Sequence, residues 1–332
     1  MSSSTSSSSQ AFPLTEATDR THAAQALAHF AAGLVLTLLV VFGGTELLLR
    51  QKVVPQDTFQ AQAALFHIAE TGDAAFGDSH GARDFVPPAG MVNLAFPSES
   101  VDHMNWKARR YFQDRRPGRV IVQADPHLFA PYRLVNRLAD YADEIARWGA
   151  ARRGAYLMDN RYRPQLIAFW RAFFRSGGDL SSRVHRTDNG ALLSPGDLSE
   201  KPPRVRRFEA YSRIGTHSQV AGPATRERMA TYAAMLGFLA ARGAELCLVT
   251  YPVAPDYLQA FAEVAEPAAR EERARTLAFF ASEAARHGAV YVNHEAAVTG
   301  LEQFRDVDHL NGAGAGAYSR RLTEDCFGTA GN

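Results

Sequence analysis

Gly77-Asp78-Ser79-His80 stands directly behind the apolar run Ala74-Ala75-Phe76. A serine at the end of a short strand is either a turn former, as Gly, Asp and Ser commonly are, or a nucleophile presented at the carboxyl end of a sheet. As a nucleophile it needs a base to take its proton, and an imidazole base needs a carboxylate to fix its tautomer. "FRDVDHLNGAGAGAYSRRL", residues 304–322, offers Asp306, Asp308 and His309, followed by Asn311 and three glycines. Asp306, three residues before His309, is placed to meet Nδ1 while Nε2 faces the serine. Asp308, adjacent to the histidine, is the alternative orienter. Each fragment is common by chance, and the meaning lies in position: the first strand exit, and the last loop before a final helix.

The elements that must hold these residues follow from the apolar pattern. Five short apolar runs, Ala74 to Gly77, Met91 to Phe96, Arg119 to Asp125, Ala244 to Val253 and Ala289 to His294, alternate with amphipathic stretches such as Val101 to Arg115, Ala224 to Arg242 and Ala268 to His287. That alternation predicts a parallel sheet covered by helices, whose ligands bind at the carboxyl ends of strands. Residues 150–220, rich in arginine and in Gly/Pro turns, break the rhythm. They are expected to be an insertion, half lid and half surface loop, whose arginines either face solvent or hold an anionic polysaccharide or phospholipid headgroup. "GAGAGA", residues 312–317, lacks the βαβ unit of a nucleotide fingerprint. It reads as a closely packed start to the last helix.

The chain has 332 residues, 36 Lys plus Arg against 35 Asp plus Glu, and a net charge of +1. No basic run supports nucleic-acid binding. Two cysteines exclude a disulfide-dense scaffold and a Cys-rich zinc site. Cys247 reads as a buried small hydrophobe, with a bridge to Cys326 open to an exported domain. The 11 histidines show no metal spacing, so neither metal nor cofactor is expected. Asp125 and His127, which flank Pro126, are read as a strand-end loop rather than as ligands. Ala31 to Leu49, with Glu46 as its single charge, would span about 28 Å as a helix, close to the roughly 30 Å hydrocarbon core. The expected division is a disordered Ser-rich segment over 1–28, a transmembrane anchor over 29–50 and an α/β domain over 51–328. Arg50 and Lys52 after the span, against Arg20 before it, mildly favour a cytoplasmic domain by the positive-inside rule.

The Gly-Asp-Ser block at the first strand exit, joined to a terminal Asp-x-x-His, resembles the SGNH (GDSL-type) hydrolase superfamily over roughly residues 70–326, the insertion being unmatched. It looks most like the membrane-anchored branch that resembles alginate O-acetyltransferases and the DltD-type proteins working beside membrane-bound O-acyltransferases. The resemblance implies a three-layer α/β/α flavodoxin-like domain with a five-stranded parallel sheet. It further implies Ser79 as nucleophile, His309 as base, Asp306 as orienter, and a catalytic domain outside the cytoplasm on a single-pass inner-membrane anchor. The implied partners are a glycan acceptor and a membrane-bound O-acyltransferase. Two blocks depart from the family. Ser98 stands near the place of a glycine whose N–H helps bind the oxyanion, and a serine N–H serves as well. The family's third-strand asparagine is missing from "VIVQADPHLF", where Asp125 and His127 stand instead. An ionised carboxylate cannot donate, so either His127 substitutes or the oxyanion hole is made of backbone N–H alone. Losing one donor costs roughly 10²- to 10³-fold in rate, which weighs against hydrolysis more than against transfer. His80 is expected to touch substrate or structure, and Asp78 to bond loop amides. The leading expectation is a serine O-acyltransferase, acetyl being the implied group, acting on a cell-surface or secreted polysaccharide. An anchored esterase or deacetylase, and a non-catalytic accessory of a membrane acyltransferase, remain the alternatives.

Overall fold

The structure is a computed structural model and describes residues 15–53, 58–133, 142, 145, 162–175, 185–218 and 222–328. The chain divides into two units, Met1–Val54 with Gly154–Trp170, and Pro55–Arg153 with Arg171–Asn332.

In the first unit a long helix, α1 (Thr15–Leu48), runs into a π-helical turn, Leu49–Val53. It begins earlier than the apolar run, so residues 15–28, expected within the disordered segment, are helical. Their composition explains this. Alanines such as Ala24, Ala26 and Ala28 favour helix. Residues 1–14 of that segment lie outside the described residues. The stretch Ala24–Gln51 has 28 residues and contains an 18-residue window with a mean hydropathy of 2.2, none of it buried. At 1.5 Å per residue it spans about 42 Å, enough to cross a membrane. Four of its polar side chains are met internally, as an apolar solvent requires: Thr37 and Thr45 hydroxyls donate to the carbonyls of Gly33 and Val41, and Arg50 pairs with Glu46 at 2.8 Å.

The second unit is built on five parallel strands: β1 (Asp73–Phe76), β2 (Met91–Asn93), β3 (Arg119–Gln123), β6 (Glu245–Thr250) and β7 (Val290–Asn293), in the order β2-β1-β3-β6-β7. All five expected strands are present. β1, β2 and β3 are almost wholly buried, which is why they read as unbroken apolar runs rather than as alternation. Side chains still alternate across the sheet. Phe76 meets Tyr111 and Phe112, at the end of α4 (Val101–Tyr111). Its neighbour Ala75 joins a core with Ile121, Cys247, Val249, Tyr318 and Leu322. The second unit's further helices among the described residues include α2 (Thr58–Ile68), α3 (Ser79–Asp84), α6 (Pro203–His217), α7 (Pro223–Ala241), α8 (Pro255–Val264), α9 (Pro267–Arg286) and α10 (Gly312–Phe327), while α5 (Tyr162–Arg175) is divided between the two units at Trp170.

Cys247 is buried, as its apolar setting implies, but it is not a free thiol. It is disulfide-bonded to Cys326, tying β6 to α10 with a Cα–Cα distance of 5.5 Å. The insertion is more regular than its composition announces. It contains α6 and a small antiparallel pair, β4 (His185–Arg186) with β5 (Leu192–Leu193). Ala210, Ile214 and His217 form the buried stripe of α6. That spacing of four and three residues is the helical signal hidden among arginines. Residues 150–161, 176–184 and 219–220 of the insertion lie outside the described residues.

β1 has β2 on one side and β3 on the other, so the connections leave in opposite directions from it. The crevice beyond the carboxyl ends of β1 and β3 is where such a sheet places its ligands. Ser79 follows the first of these strands and Asp125 the second.

Candidate active site

Gly77 is a glycine because Gln123 packs over it. A Cβ there would lie 2.5 Å from Gln123 Oε1. That oxygen accepts the Asp78 N–H at 2.6 Å, while Gln123 Nε2 donates to Asp78 Oδ1 and to Asp125 Oδ2. Asp78 then caps α3 by accepting the His80 N–H at 3.0 Å, leaving Ser79 as the first residue of the helix. Asp78 therefore bonds loop amides as expected and does more, since its Oδ2 also takes His127 Nε2 at 2.8 Å and the Arg133 guanidinium.

The candidate base, His309, comes from a distant part of the chain. β8 (Phe304–Asp306) pairs with β9 (His309–Leu310) in a tight antiparallel turn. Within it Asp306 Oδ1 lies 2.9 Å from His309 Nδ1, and Asp308 Oδ1 lies 3.4 Å away. Asp306 is thus the nearer orienter. Asp308 is engaged elsewhere, with Arg213 Nε at 3.1 Å and with His80 and His217 at 3.7 Å each. Asn311 secures the turn by capping α10 through Gly314 N–H and by donating to the carbonyls of Gly196 and Glu302. Gly314 is obligatory at that helix start, where a Cβ would lie 2.1 Å from Gln303 O. The close packing expected of the glycine-rich segment holds at Gly314 alone, since a Cβ at Gly312 would make an ordinary contact of 3.4 Å and one at Gly316 would meet nothing within 4 Å.

Ser79 and His309 line one cavity of about 250 Å³, together with Arg83, Ser98, Tyr132, Arg133, Arg213, His217, Arg305, Asp306 and Asp308. His309 Nε2 is buried and has no hydrogen-bond partner among the described residues. A buried ring nitrogen left unmatched while its opposite nitrogen is oriented by a carboxylate is the arrangement a serine-activating base needs. Ser98 has φ +72°, the one positive φ outside glycine among the described residues. The position where the resemblance expects glycine thus adopts the backbone that glycine favours, and it does so at the cavity wall.

His80, Asp125 and His127 are not on that wall. They lie buried beside it. His80 Nδ1 is 2.9 Å from Asp125 Oδ2, and Asp125 Oδ1 accepts the Tyr251 N–H at 2.8 Å. His127 Nε2 is taken by Asp78, and the ring stacks on His217 at 4.6 Å. Tyr132, Arg133, Arg213 and His217 line the cavity without having been singled out from sequence. The first two leave β3 through two short 3₁₀ turns, and the last two sit on α6. Arg133 Nε is buried without a partner among the described residues.

Burial opposes charge throughout this cluster, and the neighbours decide which groups keep it. Burial lowers His80, but Asp125, Asp308 and Asp78 hold it well above its ordinary value. Burial likewise lowers His309, yet Asp308 and Asp306 carry it up to about 9. Burial raises Asp78, and Arg133, His127 and His80 overcome it, keeping the carboxylate well below its usual range. His127 and His217 are pushed down by burial and by neighbouring imidazoles. Asp84, buried at the end of α3, is pushed up to about 8. The surroundings therefore favour the charged form of His80 and His309 and the neutral form of His127 and His217.

Two buried groups, His80 with Asp125 and His127, and His80 with Asp308 and His309, each place three ligand-capable atoms within 4.8 Å. Sequence spacing sets Asp125 beside His127, which read as a loop, but nothing in it joins His80 to that pair or to Asp308 and His309, since these come from distant strand exits. No family model matches the chain, and no curated protein matches it by sequence.

Proposed function

We propose that this chain is a membrane-anchored serine O-acyltransferase that carries an acyl group, acetyl being the simplest, on Ser79 and delivers it to a glycan hydroxyl. The observation that carries the reading is the shared cavity of Ser79 and His309, with Asp306 on Nδ1 and Nε2 left free. The sheet order 2-1-3-4-5 with Ser79 after the first strand is the order and placement of flavodoxin-like sheets, in keeping with the three-layer SGNH fold. In the cycle, His309 Nε2 takes the Ser79 proton as Oγ attacks the donor carbonyl. The resulting oxyanion lies against the N–H groups of Ser79 and Ser98, and His309 returns the proton to the leaving group. The acceptor hydroxyl then repeats the sequence on the acyl-serine. α6 from the insertion brings Arg213 and His217 to the cavity, which supports a lid that excludes water and orders the acceptor.

The disulfide supports a domain facing an oxidising compartment, hence a periplasmic domain on an inner-membrane anchor with its N-terminus inside, against the slight charge bias around the span. A membrane-bound O-acyltransferase is the proposed donor partner. The esterase or deacetylase reading uses the same acyl-serine and differs only in whether water resolves it.

The test is a serine-directed phosphonate on the full chain in detergent. Wild type should be labelled in the presence of EDTA, and Ser79→Ala should not. Equal labelling of both removes Ser79, and loss of labelling with EDTA moves the chemistry to a metal held by the histidine cluster. For transfer over hydrolysis, an oligosaccharide acceptor should raise ester turnover and yield acylated sugar. Turnover at roughly 10 s⁻¹ without any acceptor effect favours the esterase.

A further inference from the structure

Four arginines line the cavity of Ser79, and two of them have their own carboxylate. Arg133 is paired with Asp78 and Arg213 with Asp308. Arg83 and Arg305 differ. Arg83 Nη1 donates to Ser194 Oγ, and Arg305 Nη1 donates to the same oxygen at 3.3 Å. Arg305 Nε makes only a long ion pair, 3.8 Å, with Asp306 Oδ2, and the other oxygen of that carboxylate already faces His309. Two guanidiniums thus converge on one neutral hydroxyl. Ser194 is buried, and its carbonyl accepts the Gly312 N–H at 3.0 Å, so the acceptor is fixed rather than a swinging surface group. Gly196, at φ +126°, packs against the Arg305 backbone and stem. Burial, and then the Arg305 charge, depress the Arg83 guanidinium, and the carboxylates of Asp306, Asp84 and Asp308 offset this only in part.

The placement ties this pair to the chemistry. Arg83 lies one helical turn after Ser79 on α3, and Arg305 directly precedes Asp306 on β8. We propose that Arg83 and Arg305 form an oxyanion clamp that holds a carboxylate or phosphate group of the substrate beside Ser79. Guanidinium forks suit both groups, since each presents two oxygens to parallel N–H donors. The substrate is then an anionic glycan or a phosphate-bearing one, held so that a neighbouring hydroxyl reaches the acyl-serine. That use in transfer rests on the role proposed above for Ser79, whereas the binding itself does not.

Calorimetric titration of the full chain in detergent tests the clamp, with inorganic phosphate and glucuronate as probes and ionic strength held constant with chloride. Saturable binding of one or both is expected, and which probe binds assigns the group. Arg83→Gln and Arg305→Gln should each weaken it about tenfold or more. Arg305→Lys, which keeps the charge and loses the fork, should fall between. Ser79→Ala and Arg320→Gln, the latter on an exposed position of α10, should bind as wild type. Absence of saturable binding of either probe to the wild-type chain overturns the clamp whatever the variants do, and so does unchanged affinity in both glutamine variants. Binding that persists where phosphonate labelling of Ser79 fails would overturn the acyl-serine role and leave the clamp standing.

Discussion

Asp306 Oδ1 stands 2.9 Å from His309 Nδ1, and the same carboxylate oxygen accepts the Asp308 N–H at 3.2 Å. Orientation of the base and the shape of the turn are therefore one arrangement, with Asp308 directed away into the buried histidines.

From this division of labour, the two aspartates should fail differently. Asp306→Asn should leave the fold intact and lower kcat by about 10²- to 10⁴-fold, because the imidazole loses its fixed tautomer. Asp308→Asn should chiefly destabilise, by about 3 kcal/mol, because it strips a buried counter-charge from His80 and Arg213. Thermal melts beside steady-state rates separate the two. A reversed pattern would make Asp308 the orienter.

With His309 held up to about 9 by its two carboxylates, the free base is scarce at neutral pH. Since the mechanism needs neutral imidazole, kcat/KM should rise with pH and reach half its plateau near pH 9. Asp308→Asn should move that midpoint downward. A midpoint near the ordinary histidine value of about 6.5 contradicts the charge pattern. The folded value lies above the unfolded one, so the stability His309 contributes is complete below about pH 6.5 and is lost as pH rises through about 9.

Ser98→Gly should preserve activity and raise stability by up to about 1 kcal/mol, since glycine adopts φ +72° freely and keeps the N–H. Ser98→Pro should abolish turnover, because it removes the N–H and cannot take that φ. If Ser98→Gly proves inactive, the hydroxyl and not the backbone does the work.

Reducing the Cys247–Cys326 bond, or replacing both cysteines with serine, should lower the melting temperature on the order of 10 °C. The bond closes a loop with a sequence separation of 79, for which chain entropy gives about 4 kcal/mol. Melts with and without dithiothreitol measure this directly. Identical melts, with the bond shown to be reduced, would remove it as a stabilising element.

The sheet was legible because buried parallel strands leave continuous apolar runs, and Val101, Ala224 and Ala268 each fell within one residue of a helix start. The Ser79, Asp306 and His309 constellation was legible from two short blocks and their places in the chain. The cavity's arginines were not. Arg83 and Arg305 look like ordinary surface charges until folding brings them to Ser194, and no local pattern records that meeting. His80, Asp125 and His127 were noticed by proximity to the motifs, but which nitrogen faces which carboxylate depends on Gln123, whose role no spacing announces. α6 was hidden by its arginines, although its stripe of Ala210, Ile214 and His217 was there to be counted.

The Leu310 N–H donates to Asp84 Oδ1, 226 residues earlier in the chain, and α10 packs against α3, so the loop of the base and the helix of the nucleophile are joined directly. The candidate site is a splice of two distant parts of the domain. On the function proposed above, a nascent chain carries its serine early yet remains inert until residues 304–327 have emerged and docked. A chain cut before that segment would therefore be silent rather than partly active, and acquisition of the proposed chemistry would report on its docking.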